Sequence, residues 1–450
     1  MPDTPARLAP DVRATHAGDS VILDDPTFRR RLDLGPVRGT IAALDGRPLG
    51  EVVARHGAAA VRALLLLRAL DVPAAADVRA RARRGPTTLR VLPDARFSCQ
   101  GSGSCCSGLA LGPLLDADIA RISACALEDA RLERRFVRVD PSGARFLATT
   151  ADGACVFLDR GARCGLHARF GPSSKPLFCR LFPLALEVDV DGARLYDDNG
   201  CASFSRAGDD DAQPIGADAG SLAHEAMRAG VLPLVHPLVR AAAGQATIAV
   251  DASLFWPLRD RWVSLLDLAA SPGDALDALV RETARWQSAL ARCAPHADGP
   301  DDAVAALETD DPAGAELPPP DPDGLRELAA ALVERFTAAG GPPHPSTALL
   351  VAALRAVAAG AAPADPHPYA LLRRSWRSRL FGSGALVEGR PWAALLRLAV
   401  AWRVARVAGS DWDAGHALVA RRLEAPLKPL TQLFAQWEAR APGVARAAMS

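Results

Sequence analysis

Lysine is nearly missing from this chain. Only Lys175 and Lys428 occur, so arginine carries almost all of the positive charge. Together with the abundance of alanine this fits a GC-rich coding bias and calls for no special function. Surplus charge is missing too: 52 basic side chains balance 52 acidic ones, which argues against nucleic acid or an anionic membrane as the main partner. The short cluster of Arg29, Arg30 and Arg31 is flanked by acid and reads as a solvated face. No apolar run reaches the ~20 residues of a membrane helix. The two most apolar stretches, near residues 63–70 and 393–407, are broken by Arg68, Arg397 and Arg403. The first twenty residues hold Asp3, Pro5, Pro10 and Asp11 without an apolar segment, against a secretory signal. The expectation is a cytoplasmic protein with no membrane partner. Thiols stay reduced in that compartment, and clustered cysteines there point to metal rather than to disulfides.

Nucleotide-binding signatures are lacking as well. No glycine-rich strand-turn-helix fingerprint is present, no Lys-Ser/Thr follows Gly101 and Gly103, and no His-x-x-x-His pair occurs. What is present is a chain with 49% apolar residues, long enough for two or three domains. The patterning predicts an α+β protein: a small cysteine-rich metal-binding domain with β-hairpins, between an N-terminal helical, winged-helix-like module and a mainly α-helical C-terminal half. In the first part, residues 20–93, Val37, Ile41 and Leu44 recur at helical spacing, and further helical patterns run over 49–55 and 58–70. Helix, Asp-Gly-Arg turn and a second helix ending at His56 and Gly57 resemble small winged-helix modules, while an ordinary helical bundle fits as well. The last part, residues 215–450, reads as helical throughout. Every tryptophan lies there, from Trp256 to Trp437, at spacings expected of core anchors. Linkers rich in proline and acid fall at 298–323, 340–345 and 358–368.

Residues 94–205 hold eight of the nine cysteines: Cys99, Cys105, Cys106, Cys125, Cys155, Cys164, Cys179 and Cys201, with Cys293 further on. Glycines between Cys99 and Cys105 let the loop wrap a small centre. The vicinal pair Cys105 and Cys106 is poorly placed for an unstrained disulfide, whose usual Cα separation is ~4.4–6.8 Å. It can instead serve one or two metal ions. One helix is expected with Leu115, Ile119 and Ile122 on a face. Leu186, Val188 and Val190 alternate before Asp191–Gly192, and 193–196 return, the strongest short hairpin signal. A second reversal is expected at Asp159, Arg160 and Gly161, between 156–158 and 164–166. These hairpins would bring Cys155 toward Cys164, and Cys179 and Cys201 toward the glycine-rich loop. The bland alternative is a set of unrelated buried thiols. Cys125 and Cys293 lie in helical patterns and read as small core residues.

The run Cys99-Gln-Gly-Ser-Gly-Ser-Cys105-Cys106, with Asp118 and Ile122 downstream, resembles the opening of the CxxCxxCC (YkgJ-type) cysteine-cluster family. Gly153-Ala-Cys155, Cys164-Gly-Leu-His167, Gly171-Pro172, Lys175-Pro176, Cys179-Arg180 and Phe182-Pro183 continue the likeness. Zinc or iron chelation is ascribed to that family. The resemblance implies a metal site built from Cys99, Cys105, Cys106, Cys155, Cys164, Cys179 and Cys201. One departure stands out. The family's second cysteine falls at Ser102 here, a weak ligand that leaves a coordination position for water, a substrate group or the amino-acid part of S-adenosylmethionine, unless Ser102 only caps a turn. Seven thiolates exceed the four of a structural zinc, so either two metals share ligands or an iron–sulfur cluster takes four of them. Soft sulfur suits both. His167 is either a nitrogen ligand or a surface histidine. Lys175 and Arg180 either offset thiolate charge beside Cys179 or are surface groups.

A looser likeness extends to the flagellin lysine-N-methylases. It rests on Gly200-Cys201-Ala202-Ser203 and on Phe255-Trp256-Pro257-Leu258-Arg259. It implies methyl transfer from S-adenosylmethionine to a protein substrate. Three readings follow: a zinc- or iron-chelating metalloprotein, a protein lysine N-methyltransferase, or a non-catalytic adaptor whose zinc holds the fold while the helical half binds a protein partner.

Overall fold

The computed structural model describes residues 3–17, 20–28, 30–33, 38–84, 88–98, 103–107, 111–126, 136–141, 143–159, 163–189, 192–197, 201, 206, 212–215, 219–228, 238–243, 246–292, 305, 317–338, 345–363, 369–382, 390–408, 423 and 428–449. Strand and helix both contribute, so the fold is α+β.

Three antiparallel strands, β1 (Arg13–Ala17), β2 (Ser20–Asp25) and β3 (Arg30–Asp33), form a meander in that order. Alternation along β2 turns Val21 and Leu23 inward, and both are buried. These strands go unseen by helical patterning, because their arginines and aspartates depress strand propensity and leave only short apolar alternation. Four helices follow: α1 (Arg38–Ala42), α2 (Leu49–His56), α3 (Ala58–Leu66) and α4 (Pro73–Arg84). Ile41 lies on α1, while Val37 is outside the described residues. Gly57, at φ 87°, makes the break between α2 and α3. Leu49, Val52, Val61, Leu64 and Leu65 close one apolar core against Val21 and Leu23.

A buried arginine locks this unit. Arg79 on α4 is 1% exposed. It donates to Asp25 at 2.8 and 3.0 Å and to Asp11 at 3.0 Å, and lies over the Phe28 ring at 5.0 Å. Thus α4 is fastened to β2 and to the segment before β1.

Next come β4 (Leu89–Val91), β5 (Arg96–Phe97), α5 (Asp116–Ala126), β6 (Val137–Val139), β7 (Arg145–Leu147), α6 (Gly165–Phe170), α7 (Leu177–Leu181), β8 (Leu184–Asp189) and β9 (Gly192–Asp197). Strands β8 and β9 pair antiparallel, with Asp189 opposite Gly192, so the expected hairpin is present. Its Asp191 lies outside the described residues. β4 adds parallel to β9, giving the order β4-β9-β8. Gly192 sits at φ 132°, and a Cβ there would run into Thr88. The approach to β4 therefore demands glycine.

Then follow β10 (Gln213–Pro214), which pairs with β5, α8 (Ala219–Arg228), and the antiparallel pair β11 (Leu238–Ala243) and β12 (Ala246–Asp251). The pair β11–β12 departs from the expectation of helix throughout 215–450. Its alanines favour helix intrinsically, and strand pairing overrides that preference. The remaining elements are helices: α9 (Trp256–Leu268), α10 (Pro272–Arg292), α11 (Pro322–Thr337), α12 (Pro345–Ala358), α13 (Tyr369–Phe381), α14 (Pro391–Ala408), α15 (Lys428–Gln436) and α16 (Ala441–Met449). Every residue of α14 from Pro391 to Trp402 is buried, the mark of a helix surrounded by others. It packs on α12, α15 and α16, and Arg397 lies over Phe434.

Trp262, Trp286, Trp376, Trp392 and Trp402 are core residues, as their spacing suggests. Phe255 meets Trp262 and Trp286 edge-on at 5.3 and 5.5 Å. The indole N–H groups of Trp262, Trp286 and Trp392 donate to Thr283, Leu254 O and Gln287. Leu66 and Tyr196 join this same core, so helices α3 and strand β9 pack on it directly. Among the described residues no helix is long and apolar enough to cross a membrane.

Removing the Arg79 guanidinium leaves buried Asp25 without its ion pair. Arg79→Ala is expected to cost roughly 3–5 kcal/mol in urea unfolding. The same network holds the Asp11 carboxyl at about 2: burial alone would raise it, but hydrogen bonds from Arg79 and Thr27 outweigh that. This contribution is complete above the ~3.9 of an unfolded aspartate and is lost as pH falls through about 2. Thermal melts between pH 5 and 2 should show a steeper acid loss in the wild type than in Arg79→Ala.

Candidate metal centre

Two backbone constraints bring the first cysteines together. Gly103, at φ 67°, turns the chain into a single 3-10 turn over Ser104–Cys106, closed by the Cys106 N–H on Gly103 O at 2.9 Å. The Sγ atoms of Cys105 and Cys106 then stand 3.9 Å apart. Next, the segment after this turn runs antiparallel to 154–155: Ser107 bridges Ala154, and the Cys155 N–H donates to Cys106 O at 2.7 Å. A tight turn at Gly153, φ 81°, closed by its N–H on Thr150 O, precedes Cys155.

The expected second hairpin is shorter than the sequence suggests. Leu158 and Cys164 form one isolated antiparallel bridge, and the Asp159 N–H reaches Arg163 O at 2.9 Å. Residues 160–162 lie outside the described residues. No strand returns, because helix α6 begins at Gly165 with Cys164 as its N-cap. The Cys164 side chain makes no capping hydrogen bond, so its sulfur is not spent on the helix. Cys179 lies on the short helix α7 rather than at a strand end.

The position of α7 is set by one carboxylate. Asp118 on α5 is 1% exposed. Its Oδ2 accepts the Leu115 N–H at 3.1 Å and its Oδ1 the Leu177 N–H at 2.9 Å, so the first turns of α5 and α7 share a cap. Arg121 donates to the same carboxylate at 2.8 Å and lies 3.6 Å from Glu225. Glu225 on α8 also binds Arg180 at 2.8 Å. Arg180 is therefore committed to an ion pair, and of the two cations flanking Cys179 it is Lys175 that favours its thiolate.

These constraints leave several thiols in one neighbourhood. Cys155 is buried in an apolar cluster with Leu111, Leu114, Ile122 and Leu166, and Cys106, Cys164 and Cys179 pack against it. Contact with Cys105 and burial both push the Cys106 thiol upward, and the nearby Cys155 and Cys164 add to this. Burial raises Cys155 to about 11, with Cys164 and Cys105 contributing. Burial raises Cys179 to about 12, opposed by Lys175 and reinforced by Cys155, Cys164 and Cys105. Cys105, Cys155 and Cys164 thus disfavour ionisation of Cys106 and Cys179, and Cys105 and Cys164 disfavour that of Cys155. A cation bound among them would relieve that repulsion and displace their protons.

The remaining expected site residues are placed differently. Cys201 is 9% exposed and is not among the residues packed around Leu111 and Cys155. Cys99, Ser102 and Cys293 lie outside the described residues. His167 is exposed on α6. Among the described residues no three His, Cys, Asp or Glu side chains are gathered into a metal-holding group. In kind the donors do fit a soft or borderline metal: they are clustered thiols, free of disulfides.

Residues 98–202 match the CxxCxxCC family. That family is described as a "Putative zinc- or iron-chelating domain". No curated protein and no solved structure matches the chain, so the likeness to flagellin lysine-N-methylases gains no support there. Within and beside residues 98–202, sequence reasoning missed the tasks of Asp118 and Glu225. A buried Asp three residues after an apolar helix start is a capping signal, but its second partner, 59 residues away, leaves no local trace.

Asp118→Ala would strand two backbone N–H groups and Arg121. A loss of roughly 3 kcal/mol or more is expected, at 1–3 kcal/mol per unsatisfied group, with Asp118→Asn milder. Chemical denaturation followed by protease cleavage within 98–202 checks both. Cys125 also packs in the apolar cluster, from the last turn of α5. Cys125→Ala should cost about 1 kcal/mol or a little more as a small core truncation and leave metal content unchanged by elemental analysis.

Proposed function

We propose that residues 98–202 chelate zinc or iron through the thiolates of Cys105, Cys106, Cys155, Cys164 and Cys179, with Cys99 and Cys201 completing a set of up to seven donors. The observation that supports this is the packing of Cys106, Cys164 and Cys179, from separated segments, against buried Cys155, where burial and the neighbouring sulfurs raise the thiols of Cys106, Cys155 and Cys179. When bound, the metal supplies a cross-link among segments that otherwise share little regular structure. Gly103 and Gly153 make the turns before Cys105 and Cys155, the Cys164 sulfur makes no capping hydrogen bond, and Asp118 holds the helix that carries Cys179. Such sites contribute their binding energy directly to folding. A mononuclear or shared zinc site and an iron–sulfur cluster are both served by this donor chemistry, and they differ in colour.

Protein purified without oxygen should carry ~1–2 zinc ions, or iron matched by inorganic sulfide and a brown colour. Cys105→Ser and Cys179→Ser should each lower that content at least twofold and open 98–202 to protease. Unchanged metal and unchanged protease resistance in both variants would overturn the proposal.

A further inference from the structure

A second site lies away from the thiols. Residues 92–96, the end of β9 and one face of α13 enclose a cleft of about 260 Å³. Ala370, Arg373, Arg374, Arg377 and Ser378 all line it. Their spacing of three, one, three and one places them on a single helical face. The opposite face of α13, with Leu372, Trp376 and Leu380, is buried in the helical core. The cleft also receives Arg96, Asp94 and Asp197. Four arginines against two aspartates leave its lining with an excess of two positive charges.

The arginines are not equivalent. Arg374 binds Asp197 at 3.0 Å and Arg377 meets Asp267 at 3.1 Å, so these two are held in place by structural ion pairs. Arg373 is half-buried and makes no ion pair among the described residues. An independent feature points the same way. Ser378, 1% exposed, lines the cleft with a buried Oγ that makes no hydrogen bond. A buried hydroxyl without a partner costs free energy unless something satisfies it. Leu92, Ala95 and Ala370 supply an apolar wall beside these donors.

From this we infer that the cleft binds a small organic oxyanion, a phosphate ester or a carboxylate on a short carbon body. Arg373 is the main charge on the ligand and Ser378 Oγ a hydrogen-bond donor to it. Guanidinium forks match phosphate and carboxylate oxygens in pairs. Just beyond α13 a Cβ on Gly382 would run into the Tyr196 ring, so helix and strand β9 are in close contact there.

The test is isothermal titration of the full chain at low salt with inorganic phosphate and, separately, with succinate. Wild type should bind at least one of the two at a single site. Arg373→Gln should weaken that binding at least tenfold, and Ser378→Ala should weaken it severalfold. Arg335→Gln, on an exposed position of α11, should leave it unchanged. Phosphate binding without succinate binding assigns a phosphate ester, and the reverse assigns a carboxylate. Absence of binding to both probes, or binding untouched by Arg373→Gln in a variant with wild-type circular dichroism, would overturn the inference.

Discussion

The Asp118 carboxylate is buried, charged and shared between two helices distant in sequence. Burying a carboxylate is expensive unless hydrogen bonds and an opposite charge compensate. Here two backbone N–H groups and Arg121 do so, and that compensation fixes the start of α5 against the start of α7. The placement of α7, which carries Cys179, follows from this contact. Cys179 packs against the cluster around Cys155 from that anchored helix. Glu225, drawing in both Arg121 and Arg180, extends the network to α8 and removes Arg180 from the thiol environment.

Around that anchor the region has little regular structure of its own. Strands β6 and β7 are three residues each, and helices α6 and α7 are six and five. Segments this short are marginal without long-range partners. The apolar cluster around Cys155 provides some of that cohesion. The rest, in the reading proposed above, comes from metal, whose binding converts mutual repulsion of thiols into attraction toward one centre. The anion cleft makes different demands. It is built on helix α13 and the end of the central strand β9, elements that pack on the tryptophan core.

Several features could be read from the sequence because they are local. Cysteine and glycine spacing gave the family likeness at 98–202, and Asp-Gly between alternating runs marked the β8–β9 turn. Trp262, Trp286, Trp376, Trp392 and Trp402, at core spacing, turned out to be core, while Trp437 is half-buried. Other features were hidden for physical reasons. Strands β1 to β3 are masked by charged side chains, and β11 and β12 by alanines whose intrinsic preference is helical. The turn at Asp159 looked like a hairpin, yet Gly165 starts a helix one residue after a single bridge. Arg79 with Asp25, and Asp118 with Leu177, are pairs separated by 54 and 59 residues, and no window of sequence connects them.

The central claim is that sulfur from the clustered cysteines coordinates a metal. X-ray absorption at the zinc and iron edges of the anaerobically purified chain tests it most directly. The account predicts a first shell dominated by sulfur, at ~2.3 Å for zinc, that collapses when Cys105 and Cys179 are both replaced by serine. A shell of oxygen and nitrogen alone, or a sulfur shell indifferent to those replacements, would contradict it.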